Sequence, residues 1–221
     1  MFKILSNGSV TDAAGFTASG MHCGIKKSFR KYDVALIASD IPAVSAGTFT
    51  TSGVKAWPVQ HNLRTIRGPK HRVIFANSGN ANCFNGKTGE RAVQIALNLV
   101  AKHLKVPKRE ILLSSTGIIG KPFPVNKIEK AIPKLAQNLS REGGHDAGRG
   151  ILTTDTITKE IAVRFSVDRK AVTLGAIAKG AGMVEPKMNA SGKRGEPLVG
   201  KHATMLCFLT TDLNIQKRCS K

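Results

Sequence analysis

Residues 161–178 alternate with a period of two on either side of a short polar break. Ile161, Val163, Phe165 and Val167 are interleaved with Ala162, Arg164 and Ser166, and after Asp168-Arg169-Lys170 the pattern resumes as Val172, Leu174, Ala176 and Ala178. Successive strand side chains point to opposite faces, so this spacing predicts a β-hairpin with one buried apolar face. A slip of one residue would turn every apolar side chain to the wrong side. The register therefore also fixes where Lys179 leaves the second strand, on the opposite face and at the point where glycines begin.

The rest of the chain reads as short strands and two helical stretches. Residues 34–38 form an apolar run closed by Ser39-Asp40-Ile41-Pro42, a buried strand ending in a turn. Residues 46–51 are β-branched and alternating, a second strand; residues 72–76 are a third, emptying into Asn77-Ser78-Gly79-Asn80-Ala81-Asn82, which reads as a tight loop. Val93, Ala96, Leu97, Val100, Ala101 and Leu104 recur at helical spacing and form one apolar stripe, closed by Pro107, with His103 at the boundary. A strand over 111–115 follows. Asn126 is a candidate N-cap with Glu129 three places on, Ile128, Ile132, Leu135 and Leu139 facing inward, and Pro133 kinking the helix or starting a new turn. Glu142-Gly143-Gly144-His145-Asp146 breaks the periodicity, and Gly148 and Gly150 would each cost up to ~1 kcal/mol inside a helix. Strands and helices that do not alternate strictly, together with a hairpin, give an α+β layered structure.

With 221 residues the chain can bury a sizeable core. Cys23, Cys83, Cys207 and Cys219 are far apart with no CxxC pair, so reduced, incidental thiols are expected and no metal site is suggested. The amino terminus has too short an apolar run for a signal peptide, and no segment approaches the ~20 apolar residues of a membrane span, so a cytoplasmic protein without a membrane partner is expected. The formal charge of +20 raises nucleic-acid binding as a rival reading. The lysines and arginines are scattered in short groups, however, and one Trp and one Tyr leave little for base stacking. A basic field also draws in small anionic substrates.

Three further blocks carry possible chemistry: Ser114-Ser115-Thr116-Gly117, Thr153-Thr154-Asp155, and the run from Lys179-Gly180-Ala181-Gly182-Met183 through Glu185-Pro186-Lys187-Met188 to Ala203-Thr204-Met205-Leu206. A threonine before an apolar run is ordinarily a β-branched strand residue. It becomes a nucleophile if the chain is cut in front of it, because the freed α-amine, with a reference pKa of ~7.7 to 8.0, accepts the hydroxyl proton near neutral pH. These blocks resemble the signature of the ornithine acetyltransferase family, the ArgJ-like bifunctional glutamate N-acetyltransferases of cyclic arginine biosynthesis.

The resemblance implies a helix-sheet-sheet-helix sandwich of the ornithine acetyltransferase and DmpA type, incomplete at the C-terminus. It implies self-cleavage between Ala203 and Thr204, with Thr204 as nucleophile and substrate contact, Thr116 and Gly117 as the oxyanion hole, and Lys179 and Thr153 (Thr154 as the alternative) as substrate-binding residues. Gly180 and Gly182 would let backbone approach the ligand, and residues 77–82 would wall the site. Residues 1–188 would be an alpha-chain-like catalytic domain, 189–202 a basic insertion, and 203–221 the start of a beta-chain-like segment. The family's second segment would be needed as a partner, in a hetero-oligomer of alpha and beta chains, and without it the strand near 205–209 would expose an apolar edge and lower solubility. The reaction implied is acetyl transfer from N2-acetylornithine to glutamate through an acetyl-threonine, with no bound cofactor and with acetyl-CoA as a further donor in bifunctional relatives. An inactive truncated relative, a self-processing aminopeptidase of similar fold and a basic nucleic-acid-binding protein are the alternatives.

Overall fold

The protein is described here by a computed structural model covering residues 2–180, 188–189 and 204–215. Its frame is a pair of four-stranded sheets. The first contains β2 (Phe16–Met21), β3 (Val34–Ala43), β5 (His71–Asn80) and β6 (Ile111–Ile118), in that order, and the second contains β1 (Phe2–Leu5), β7 (Lys159–Val167), β8 (Lys170–Lys179) and β10 (Leu206–Thr211). A short pair, β4 (Phe49–Thr50) with β9 (Met188–Asn189), lies apart from both. The helices are α1 (Trp57–Thr65), α2 (Gly86–Leu104), α3 (Val125–Gln137) and α4 (Gly144–Ile151). The architecture is the expected α+β sandwich.

The hairpin forms as the alternation predicts. Val167 pairs with Lys170, so Asp168 and Arg169 are the two turn residues, both in the left-handed region at φ 50° and 63°. A two-residue turn of this hand matches the right-handed twist of the strands it joins. The apolar stripe of α2 also lies where its spacing places it. Val93, Ala96, Leu97 and Val100 pack with Ile128, Ala131, Ile132 and Leu135 of α3 against Val34, Leu36, Val73, Phe75, Ile111 and Leu113 of the first sheet. The helix ends at Lys105, which turns left-handed at φ 53° before Pro107.

Several expectations need correction. β4 is two residues long, not six. β5 continues through Asn80, because its parallel pairing with β6 holds the Asn-Ser-Gly-Asn run extended where a loop was expected. α3 starts at Val125 with no side-chain cap from Asn126, and it passes through Pro133. The residue whose carbonyl loses its donor there, Glu129, is solvent-exposed.

The expected face is buried only in part: Val172 and Ala176 are buried on it, and the opposite face is buried as well. Ala162, Thr173 and Ile177 point inward and are buried, whereas Ile161 is 44% exposed. Strand pairing puts Ile161, Ala176 and Leu209 on one row and Ile4, Val163 and Leu174 on the next, a face on which Ile4, Ile161 and Leu209 are exposed. Small residues were needed inside: a Cβ on Gly175 would sit 2.2 Å from the Ser9 carbonyl oxygen, and one on Gly8 would sit 2.5 Å from the Ala162 Cβ. The expected apolar edge is present, with Leu209 61% exposed.

Helix α4 lies between the two sheets, where no helix was expected. Ala147 and Ile151 pack with Ala18, Ala35, Ile37, Ala76 and, from the second sheet, Ile177. Its glycines are close-approach residues: a Cβ on Gly150 would lie 2.5 Å from the Val34 carbonyl oxygen, and one on Gly143, just before the helix, 1.8 Å from that of Ala18. Helix propensity favours Gly150→Ala by up to ~1 kcal/mol, while forcing a Cβ against main chain costs about 1–3 kcal/mol. The variant should therefore unfold at lower urea concentration than the parent; a higher midpoint would show that α4 does not pack this tightly.

Candidate active site

The second half of β6 runs into Thr116 and Gly117, which lie beside Ser78 and Gly79 of β5. Both glycines adopt backbone open only to glycine without strain, Gly79 at φ +103° and Gly117 at φ +130°. A Cβ on Gly117 would lie 2.4 Å from the Gly79 carbonyl carbon, and one on Gly79 would lie 2.8 Å from Cγ2 of Ile25. The strand ends thus meet with no side chains between them, and the segment carrying Ile25 and Lys26 lies over the junction. That segment is held by the buried carboxylate of Asp33, which accepts the main-chain N–H groups of Cys23 (2.6 Å), Gly24 (3.1 Å) and Lys26 (3.0 Å).

Lys179 reaches the same place from the second sheet. Its amine is almost out of solvent and donates to Thr116 Oγ1 at 3.2 Å and to the Thr204 carbonyl oxygen at 3.0 Å. Thr204 is exposed and stands two residues before β10, whose register places Leu206 opposite Lys179. Thr116 is itself buried, and a hydroxyl that accepts from an amine still has its own proton to donate.

Thr153 follows α4 and is half-buried. Its main-chain N–H approaches Asp155 Oδ2 at 3.5 Å, and Asp155 Oδ1 accepts from Gly180 N at 2.9 Å and from Lys159 Nζ at 2.6 Å. The structure therefore brings together Thr116, Gly117, Lys179 and Thr204, with Thr153 joined to them through Asp155 and Gly180. Ala203 and Gly182 lie outside the described residues. The proposed wall is a polar network in which Asn77 Nδ2 donates to the Asn80 carbonyl at 2.8 Å and Asn80 Oδ1 accepts from Asn82 N at 2.8 Å.

Sequence reasoning passed over Asp33, Lys26 and Asp155. The available signal was weak: Asp155 lies in the Thr153-Thr154-Asp155 block, Asp33 and Lys26 lie in none, and only burial distinguishes each from a solvated charge. A cleft of about 620 Å³ lined by Arg64, Lys70, Arg109 and Glu110 lies at the opposite end of β6 and takes no part in this constellation. Among the described residues no group of three or more His, Cys, Asp or Glu side chains could hold a metal, and no helix is long and apolar enough to cross a membrane.

The thiol in the segment over the junction is not activated. Burial, reinforced by the Asp33 carboxylate, pushes the Cys23 thiol up to about 12, so it is not a thiolate near neutral pH. Burial lowers the Lys179 amine, opposed by Asp155 and assisted by Lys159. Burial likewise lowers Lys26, from 10.5 to about 8, while its Nζ donates to the carbonyls of Tyr32 and Leu152. An amine with a depressed folded pKa binds fewer protons in the folded than in the unfolded chain between the two values. Its burial penalty is full below about pH 8 and is relieved as pH rises towards 10.5, so it makes stability climb across that window. Urea unfolding at pH 8, 9 and 10 should show a shallower climb in Lys26→Met than in the parent; an unchanged slope would contradict a buried amine at this position.

The profile of the ArgJ family matches residues 17–221. The chain is 42% identical over 215 residues to the arginine biosynthesis bifunctional protein ArgJ 1 of Clostridium acetobutylicum, covering 97% of this chain and 49% of that protein. It is 44% identical over 214 residues to the glutamate N-acetyltransferase of Methanocaldococcus jannaschii, covering 96% of this chain and 48% of that protein. The chain thus spans about half the length of these relatives. Among solved structures, the ornithine acetyltransferase of Mycobacterium tuberculosis complexed with ornithine superposes with a TM-score of 0.80 at 31% identity, covering 86% of this chain and 100% of that one. Profile, relatives and fold agree, and the chain belongs to the ArgJ family.

Proposed function

We propose that this chain supplies the acyl-transfer centre of a glutamate N-acetyltransferase of arginine biosynthesis, moving an acetyl group from N2-acetylornithine to glutamate. The observation that carries the reading is the Lys179 amine, which bridges Thr116 Oγ1 and the Thr204 carbonyl and so gathers a hydroxyl donor, a cation and the candidate nucleophile from three separate segments.

In the proposed mechanism the Ala203–Thr204 peptide is first cut, leaving a new chain that begins with Thr204. The freed α-amine takes the Thr204 hydroxyl proton as Oγ1 attacks the acetyl carbonyl. The carbonyl oxygen gains negative charge. The Thr116 hydroxyl and the Gly117 N–H, on backbone fixed by the Gly79 contact, would donate to it, a few kcal/mol for each donor. The C–N bond breaks, the proton passes from the Thr204 α-amine to the departing nitrogen, and ornithine leaves an acetyl ester on Thr204. The glutamate amine then attacks that ester, and its proton returns to the Thr204 oxygen as N-acetylglutamate departs. Lys179 and Thr153 would hold substrate, with Lys179 supplying positive charge beside the developing oxyanion.

Support for a cut chain comes from lengths: this chain matches the whole of the solved Mycobacterium tuberculosis chain but about half of the curated relatives. The division into residues 1–188, 189–202 and 203–221 belongs to this proposal. So do a cytoplasmic location, the absence of a bound cofactor, acetyl-CoA as a further donor, and a second family segment as partner. That segment would have the outward apolar face of Phe2, Ile4, Ile161 and Leu209 available to cover. Intact-mass analysis of the purified protein should show a fragment beginning at Thr204 and should show none in Thr204→Ala. Full-length material alone, identical in the two proteins, would overturn the reading.

A further inference from the structure

An ammonium taken out of water needs a counter-charge or it tends to lose its proton. The Lys179 amine is in that position, since it is buried and both atoms it touches, Thr116 Oγ1 and the Thr204 carbonyl oxygen, are formally neutral. The negative charge that acts on it is the Asp155 carboxylate.

Asp155 is built for that task. Its side chain is wholly buried and is gripped from three directions, by Thr153 N in its own loop, by Lys159 Nζ at the start of β7 and by Gly180 N at the end of β8. Burial alone would raise its pKa, but the hydrogen bonds from Lys159, Gly180 and Thr153 outweigh burial and hold it down to about 2. It is therefore ionised at any working pH. Gly180 directly follows Lys179 and sits at φ +141°, so the carboxylate grips the main chain at the turn from which the lysine is presented.

We propose that Asp155 is a positioning residue of this site: it fixes the Gly180 turn that aims the Lys179 amine at Thr116 and Thr204, and it supplies the counter-charge for that amine. The inference rests on the acyl-transfer reading for what Lys179 acts upon, and on geometry alone for how Lys179 is held and charged. Among the described residues, the other charged groups acting with Lys179 are Lys159 of β7 and Lys26 of the segment before β3, with the Thr204 α-amine joining them after cleavage. The remaining described carboxylate nearby, Asp33, acts on Lys26 and is engaged by the main chain of its own segment.

The test is the titration of the Lys179 side chain in the full 221-residue chain. It is followed by NMR of carbon- and nitrogen-labelled lysine, with the resonance assigned by its loss in Lys179→Arg. Asp155→Asn keeps an acceptor for Gly180 and removes the charge, so the Lys179 midpoint should fall by about one pH unit or more. Lys159→Met removes a competing cation and should raise the midpoint. The Gly180 amide should stay protected from exchange in Asp155→Asn and lose protection in Asp155→Ala. An unmoved Lys179 midpoint in Asp155→Asn overturns the proposal, as does an unmoved midpoint in Lys159→Met where the asparagine variant does not fold. The two readings fail separately. A Lys179 midpoint that responds, in a protein that neither cleaves nor transfers acetyl at any pH, sinks the acyl-transfer reading and leaves the positioning role standing. Cleavage at Thr204 with an unresponsive Lys179 does the reverse.

Discussion

The pairing of β10 with β8 is the interaction on which the site depends. Thr204 is distant in sequence from Thr116 and close to it in space only because Leu206 lies opposite Lys179 and the pairing continues, residue for residue, to Thr211 opposite Leu174. Side chains at 210–212 hold that register, with Thr211 Oγ1 donating to the Thr173 carbonyl at 3.0 Å. Thr210 Oγ1 donates to the Val10 carbonyl at 2.5 Å, and the Asp212 carboxylate accepts from Thr173 N at 2.8 Å and Ala14 N at 3.0 Å. A one-residue slip would break these bonds and turn the inward residues of β10 outward, so the register has little freedom.

Close approach of main chain to main chain is the second constraint. Gly79 against Gly117 lets two parallel strands end in contact, and Gly143 and Gly150 let α4 lie on β2 and β3 inside the sandwich. The consequence reaches the site, because Ser78 Oγ donates to the Gly150 carbonyl at 2.6 Å, tying the helix to the residue beside Gly79. The loop after α4, carrying Thr153 and Asp155, then starts from a fixed point and meets Gly180. A helix held further from the sheet would carry Asp155 away from Lys179.

What could be read from the sequence follows from these constraints. The hairpin and α2 were legible because each has a stripe of one period over many residues, whereas the Thr116, Lys179 and Thr204 blocks, ordinary by pattern alone, were legible only through their resemblance to the family. Helix α4 was hidden because the small residues that close packing demands, Gly144, Gly148 and Gly150, read as helix breakers when taken singly. The hairpin's burial was legible only in part for the same reason: Val172 and Ala176 are buried as the alternation suggests, but Ala162 and Gly175 are also inside because the sheets lie close, and the larger Ile161 is left exposed. Asn77 to Asn80 carried turn chemistry in composition, yet the parallel ladder with β6 kept them extended. Asp155 could not be singled out, since nothing in Thr-Thr-Asp indicates that its carboxylate meets a main-chain N–H from another sheet strand.

The central claim is that the register of β8 and β10 makes Thr204 the residue that carries the acetyl group between donor and acceptor. Rapid-quench mass spectrometry with isotopically labelled N2-acetylornithine tests it most directly, on the cleaved chain supplied with the family's second segment. The account predicts one labelled acetyl group on the peptide that begins with Thr204, discharged when glutamate is added. Acetyl transfer to glutamate while that peptide stays unmodified would contradict it.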